Sequence, residues 1–422
     1  MKIAIIGSGI SGLTCAWKLV SEHQVTLFEA NDYLGGHTAT VDVSMEGYNY
    51  AIDTGFIVYN ERTYPQFIAL LAELGINGQP TEMSFSVTHQ GTGLEYNGHT
   101  LNTLFAQRRN LFSLCFYRFL VEIVRFNRQC KKRLSGEAFG DETLEDFLLQ
   151  GKFSNYFAEH YLLPMGAAIW SSSIANMRKF PFTLFLRFFN HHGLLDITNR
   201  PQWFVVPGGS REYVRRMLET LVGRMTLHIN TPVLMVERQP HQVVIHSALG
   251  KQPFDQVIFA CHADQALGLL ADPTLQEQRI LSQLPYQANE VILHTDTDLL
   301  PRQRRAWASW NYRLPAKSEQ AESQLASVTY NMNILQGLNG RHTFCVTLNP
   351  QQPIEPAQVL RRFVYHHPVF NQGSAQAQRQ RSLISGVQNT WFCGAYWYSG
   401  FHEDGVRSAL DVTQALLDME VS

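Results

Sequence analysis

The chain opens on a pattern that few folds can accommodate. An apolar run from Lys2 to Ile6 meets Gly7-Ser8-Gly9-Ile10-Ser11-Gly12, helix-forming residues continue to about Glu22, and a second apolar run, Val25 to Phe28, ends at Glu29. That order reads as a β-α-β unit. Gly7 allows a tight strand-to-helix turn, Gly9 lets a pyrophosphate approach the backbone, and Gly12 lets helix and sheet pack closely. The pyrophosphate would rest on the unpaired N–H groups of the helix N-terminus, where the dipole favours negative charge. Glu29 is placed to accept both hydroxyls of a ribose and to repel a 2′-phosphate. Alone, such a glycine motif could be an incidental turn. A strand before it, a helix after it and an acid about 20 residues on supply the context of a dinucleotide site.

Just beyond Glu29 comes Asn31-Asp32-Tyr33-Leu34-Gly35-Gly36-His37, a glycine doublet that adds backbone donors. Near the other end, Trp391-Phe392-Cys393-Gly394-Ala395 reads as a strand, and Tyr398-Ser399-Gly400-Phe401-His402-Glu403-Asp404-Gly405-Val406 opens a final helix to about Leu417. With these motifs the chain resembles the flavin-containing amine oxidase superfamily, which includes protoporphyrinogen oxidase, phytoene desaturase-like and monoamine oxidase-like enzymes. The resemblance is specific over residues 1 to 60 and 390 to 415 and looser between.

It implies an α/β protein binding FAD non-covalently. Residues 1–75, 205–284 and 385–422 would build a Rossmann-type, glutathione-reductase-like FAD domain. Residues 76–204 and 285–384 would form an inserted mixed α+β substrate domain. The implied FAD contacts are Gly7, Ser8, Gly9, Ile10, Ser11, Gly12, Glu29 and Ala30, then Gly35, Gly36, His37 and Thr38. Gly55 and Phe56 follow, from an Asp-x-Gly segment beneath the ring, with Val233 at the adenine and Ala260 beside the nucleotide. Gly394, Phe401, His402, Glu403, Gly405 and Val406 complete the set, the last helix aiming its N-terminus at the flavin pyrimidine. Candidate catalytic side chains are Tyr59, Tyr330 and His402, the last because imidazole titrates near neutrality. A packed aromatic is the other reading of Tyr59, and a structural role the other reading of His402. Phe401 stands where amine oxidases often carry a cage tyrosine. Many amine-oxidising members also place a lysine near the flavin, and Gln287 to Leu293 has none, which turns the expectation away from simple amine oxidation.

The intervening chain reads as follows. Thr38 to Val43 and Tyr48 to Asp53 alternate around Met45-Glu46-Gly47 as a hairpin. Phe67, Leu70, Leu71 and Leu74 give a helical period ended by Gly75. Over Leu104 to Leu134 a helix carries eight basic residues against one acid, Glu122, with Phe112, Phe116, Phe119, Ile123 and Phe126 on one side. The default for such a face is core, and a lipid surface is the alternative. Asp141 is read as the N-cap of a helix to Leu149, and Ser154 to Leu163 as a helix stopped by Pro164. Trp170, Phe180, Phe182, Phe185, Phe188 and Phe189 suit an apolar cavity wall or a plain core. Pro207-Gly208-Gly209-Ser210 leads into a helix from Tyr213 to Leu221. Leu227 to Val233, Val243 to His246 and Asp255 to Ala260 read as three strands, Leu325 to Leu335 and Thr343 to Leu348 as two more, and Val359 to His366 as a helix.

Six cysteines without CxxC spacing read as reduced thiols rather than a metal site, and no metal is expected. A formal net charge of −2 gives no support to nucleic-acid binding. No apolar run approaches the roughly 18 residues of a membrane span. The first residues enter the cofactor strand without a signal-peptide pattern, so the expected location is cytoplasmic. No second GxGxxG provides for NAD(P)H, so electrons are expected from an apolar or amphipathic substrate. Bacterial chains of this kind resemble a group associated with lipid-modifying methyltransferases, which leans the substrate toward a fatty acyl chain. A redox-neutral flavin isomerase and a non-catalytic flavin-binding partner of a lipid-modifying complex are the alternatives.

Overall fold

The computed structural model describes residues 1–134, 141–196, 200–315 and 323–421. Its first layer is a five-stranded parallel sheet in the order Thr226–His228, Gln24–Phe28, Lys2–Ile6, Gln256–Phe259, Thr390–Phe392. Lys2–Ile6 is central, paired through Ile5 to Leu27 on one side and to Ile258 on the other. A strand flanked on both edges and both faces must be apolar throughout, and Ile3 to Ile6 are all buried. The helix Ile10–Leu19 covers one face and packs along the last helix, His402–Val421. A three-stranded antiparallel sheet, Val233–Gln239, Gln242–Ser247 and Gly250–Phe254, lies beside this layer.

The second layer is a seven-stranded mixed sheet ordered Val359–Pro368, Tyr286–His294, Cys345–Leu348, Ser327–Asn331, Trp310–Leu314, Phe85–His89, Leu94–Asn97. Helices between residues 114 and 191 share one core with part of this sheet, rich in phenylalanine. The hairpin Thr40–Met45 and Tyr48–Asp53 turns through Glu46 and Gly47, both at positive φ, as a two-residue connection requires.

Several expectations need correcting. Val359–Pro368 is a strand, paired along its length with Tyr286–His294, because long-range pairing outweighs a local helical spacing. Thr143, not Asp141, caps the helix Leu144–Gln150, in a reciprocal capping box with Asp146. Pro164 stops nothing. The chain passes through a π turn, Ala158–Leu162, and Pro164 falls in the first turn of Leu163–Ile169, where a missing N–H costs little. The reading of three strands between Leu227 and Ala260 becomes five, Thr226–His228 joining the parallel sheet and Val233 starting another. Leu325 to Leu335 is a strand to Asn331 and then a short helix, Met332–Gln336. The basic segment is a short helix, a 3₁₀ turn and then the long helix Leu114–Leu134. Within it Phe116, Phe119 and Phe126 are core, whereas Phe112 is 90% exposed.

Candidate active site

Two helix N-termini meet where the chain's first and last motifs come together. The added Cβ of a residue at 405 would lie 2.6 Å from Ile10 Cγ2, and Ser11 Oγ donates to the Gly405 carbonyl at 3.0 Å. The first N–H groups of both helices, at Ile10 to Gly12 and at His402 to Asp404, have no intrahelical acceptor, so this corner carries a concentrated positive potential. Gly35 is bridged to Gly9, bringing the doublet against the same turn.

Gly9 tests whether a dinucleotide fits here. Its backbone, φ −63° and ψ 179°, is open to any residue, and a Cβ there would meet nothing within 4 Å. Nothing in the protein demands glycine at this position; a group seated in that space does. Gly12 differs, since its Cβ would lie 1.9 Å from the Gly7 carbonyl oxygen, and Ala260 packs under the same turn. Glu29 is buried and accepts from Ser8 N at 2.9 Å, Ser8 Oγ at 2.6 Å, Asn31 N at 2.8 Å and Asn31 Nδ2 at 3.0 Å. The two backbone donors fix the carboxylate. The two rotatable side-chain donors are those a ribose diol can replace. Thr231, two residues before Val233, donates its N–H to the Glu29 carbonyl, holding the 231–233 turn beside that carboxylate strand, while Ala30 is exposed at its end. These residues fit a dinucleotide.

Other implied contacts have reasons within the fold. A Cβ at Gly55 would strike the His37 carbonyl at 2.1 Å, so crossing of two backbone segments by itself requires glycine there. Val406 lies in the core of the parallel-sheet layer. Gly394, at φ 155°, donates to Ser408 Oγ at 2.9 Å as the chain turns out of its strand. The Glu403 carboxylate accepts from Gln66 N and Phe67 N, at 3.0 and 2.8 Å, and so caps the helix Pro65–Glu73. Only its backbone remains for a ligand.

His402 stacks on Phe56 at 3.7 Å, and its Nε2 hydrogen-bonds the Tyr213 hydroxyl at 2.7 Å, which also pairs with Thr38 Oγ1. Burial, with His37 nearby, pushes its pKa down to about 3. It is therefore neutral near pH 7, and these contacts favour the structural reading of the residue. Tyr59 is buried, stacked on Phe204 and edge-on to Phe67, as a packed aromatic. Tyr330 lies edge-on to Trp310 at 5.0 Å in the second layer, and burial raises its pKa.

Sequence reasoning passed over Tyr213, although the Pro-Gly-Gly turn just before it was a signal, and the network around Asp53. That carboxylate is fully buried, accepting from Thr40 Oγ1, Ser210 N, Ser210 Oγ and Gln336 Nε2, and so ties together three distant segments. Burial lifts its pKa to about 6. His262 and His367 were also missed. Their rings lie 6.2 and 5.5 Å from that of His37, and burial pushes both pKa values to about 3.

The buried imidazoles set an acid limit. His192, His262, His294, His367 and His402 have folded pKa values of about 3 to 4, below the unfolded value. Their contribution is present above the unfolded pKa and is lost as pH falls below it. Asp53 and Asp404, raised to about 6 and 7, act oppositely and gain on protonation. Five imidazoles at about 1 to 2 kcal/mol each between pH 7 and 5 outweigh two carboxylates. The melting temperature is expected to fall over that interval, as a thermal scan in a series of buffers would measure; a melting temperature flat or rising toward pH 5 would contradict these burials.

Comparison with known proteins agrees with this geometry. A family model described as flavin containing amine oxidoreductase matches residues 10–342. No curated protein matches by sequence. Among solved structures, one provisionally assigned as a protoporphyrinogen oxidase from Exiguobacterium sp. 255-15 is similar at 17% identity, covering 98% of each chain, with a TM-score of 0.69. A conjugated-linoleic-acid-producing fatty acid isomerase from P. acnes is similar at 14% identity, again over 98% of each chain, TM-score 0.69. Cyclohexylamine oxidase from Brevibacterium oxydans IH-35A is similar at 15% identity over 100% of this chain and 99% of that one, TM-score 0.70. At these identities the likeness is one of fold.

Proposed function

This chain belongs to the flavin containing amine oxidoreductase family and is an FAD-dependent oxidoreductase, and from that premise we propose that it oxidises an apolar or amphipathic molecule, with a fatty acyl chain the best-suited class. When bound, FAD supplies two-electron chemistry, accepting a hydride at N5. The protein supplies position and dryness.

One observation carries the reading. An aromatic wall runs from Phe180 through Trp170 and Phe188 to Phe401, the residue just before the last helix, with successive ring centroids 4.4, 4.8 and 4.7 Å apart. Such a wall binds an apolar body by excluding water. These rings are packed as core, and the cleft beside them, lined by Trp170, Ser171, Asn176, Phe180, Gln287 and Phe370, holds only about 10 Å³, room for about one water, so an acyl chain would enter only if this wall parts. Trp170 Nε1 is buried there without an acceptor among the described residues, so a polar end of the substrate or a water would complete it. The strand Tyr286–His294 offers no lysine of the kind many amine-oxidising members carry, which does not favour an amine substrate.

The test is anaerobic titration of the purified yellow protein with fatty acyl compounds and, separately, with primary amines. Bleaching of flavin absorbance by the acyl compounds supports the proposal; bleaching by amines alone overturns it. Turnover only after prior reduction of the flavin would identify a redox-neutral isomerase, and no response to either state of the flavin a binding partner without turnover.

A further inference from the structure

The helix Leu114–Leu134 has two opposite faces, and only one is core. Phe116, Phe119, Phe126 and Cys130 are buried inward. At helical spacing the reverse side carries Leu114, Tyr117, Arg118, Val121, Arg128 and Lys132, while Arg125 turns back to Glu122 and Phe153. Leu114 is 87% and Val121 66% exposed, and the turn before them adds Phe112 at 90%. Tyr117 ties turn to helix, its hydroxyl donating to the Leu111 carbonyl at 3.1 Å. Large apolar side chains this exposed, grouped at one end of a helix, mark a surface that meets something apolar.

Charge identifies what that is. From residue 99 to 134 the only acid is Glu122, and it is turned inward, accepting from the Ser154 N–H and hydroxyl. Among the described residues, Arg108 and Arg109 reach only backbone carbonyls and side-chain amide oxygens. Arg118 and Arg128 are exposed with no ion-pair partner among the described residues, whereas Lys131 and Arg133 pair with Asp196 and Glu142. A second copy of the chain would set cations against cations, which disfavours self-association.

We propose that this face docks the protein peripherally on an anionic lipid bilayer. Phe112, Leu114, Tyr117 and Val121 enter the boundary between headgroups and acyl chains, while Arg108, Arg109, Arg118 and Arg128 lie against lipid phosphates. Among the described residues no helix is long and apolar enough to cross a membrane, so the attachment is one of surface. It stands independently of which substrate is oxidised.

The experiment is sedimentation of the flavin-loaded full-length protein with phosphatidylglycerol vesicles and with phosphatidylcholine vesicles, at low and high salt. The protein should partition onto the phosphatidylglycerol vesicles, less at high salt, and weakly or not at all onto phosphatidylcholine. Replacing Arg118 and Arg128 together with glutamine should lower partitioning about thirtyfold at low salt, from about 1 kcal/mol per cation. Phe112→Ser with Leu114→Ser should weaken binding at both salt concentrations. All these side chains are exposed, so melting temperature and flavin absorbance should not move. Failure of the native protein to sediment with phosphatidylglycerol vesicles at low salt would overturn the proposal. So would a dimer, seen by light scattering, that Phe112→Ser with Leu114→Ser dissolves.

Discussion

Gly9→Val is expected to give a folded protein that no longer retains FAD. The two halves of that result have separate causes. Residue 9 lies in an ordinary extended conformation with no atom within 4 Å of an added Cβ, so the substitution strains nothing in the protein. The same open space is where the pyrophosphate must approach the backbone, and a branched side chain fills it. A melting curve of the FAD-free variant close to that of FAD-stripped native protein, with no flavin absorbance after reconstitution, would bear this out. Glu29→Ala should be milder, weakening binding by about 1.5–3 kcal/mol for loss of a charged acceptor. Normal FAD binding by Gly9→Val would move the site elsewhere.

Phe119→Ala is expected to destabilise the protein by about 3–5 kcal/mol. The ring is 1% exposed and sits among Phe116, Tyr96, Tyr156 and Tyr161, at centroid distances of 5.7, 5.6, 5.7 and 6.2 Å. Four aromatic neighbours anchored in three separate segments cannot all close on the gap, so the cavity term adds to the lost burial. Phe112→Ala, at a ring that is 90% exposed, should change stability by no more than about 0.5 kcal/mol. Denaturant unfolding of both variants checks the contrast; equal effects would mean that the two faces of this segment are wrongly assigned.

That contrast also marks what the sequence could reveal. Phe112 and Phe116 are four residues apart and look like one stripe, yet a 3₁₀ turn ending at Phe112 breaks the helical phase before Leu114. The first β-α-β unit, the hairpin around Gly47 and the helix beginning at Pro65 were legible because each is specified by neighbours in the chain. Val359–Pro368 was not. Its apolar residues Val359, Leu360, Phe363 and Val364 fall at helical spacing, and only pairing with Tyr286–His294, some seventy positions earlier, makes it a strand. The corner of the site showed the same division. Gly9, Glu29 and the doublet Gly35-Gly36 could be read from a motif, whereas Tyr213 against His402 and Asp53 against Ser210 are contacts between segments more than 150 residues apart. The neutral state of His402 depends on burial, which residue type does not reveal.

The corner formed by Gly7 to Gly12, Glu29, Gly35-Gly36 and the start of the last helix is expected to hold FAD for oxidoreductase chemistry. Denaturing the purified protein with heat or acid and identifying by chromatography and mass spectrometry what is released checks this. Intact FAD, set free without proteolysis, is the predicted result; NAD, FMN or no nucleotide would contradict it.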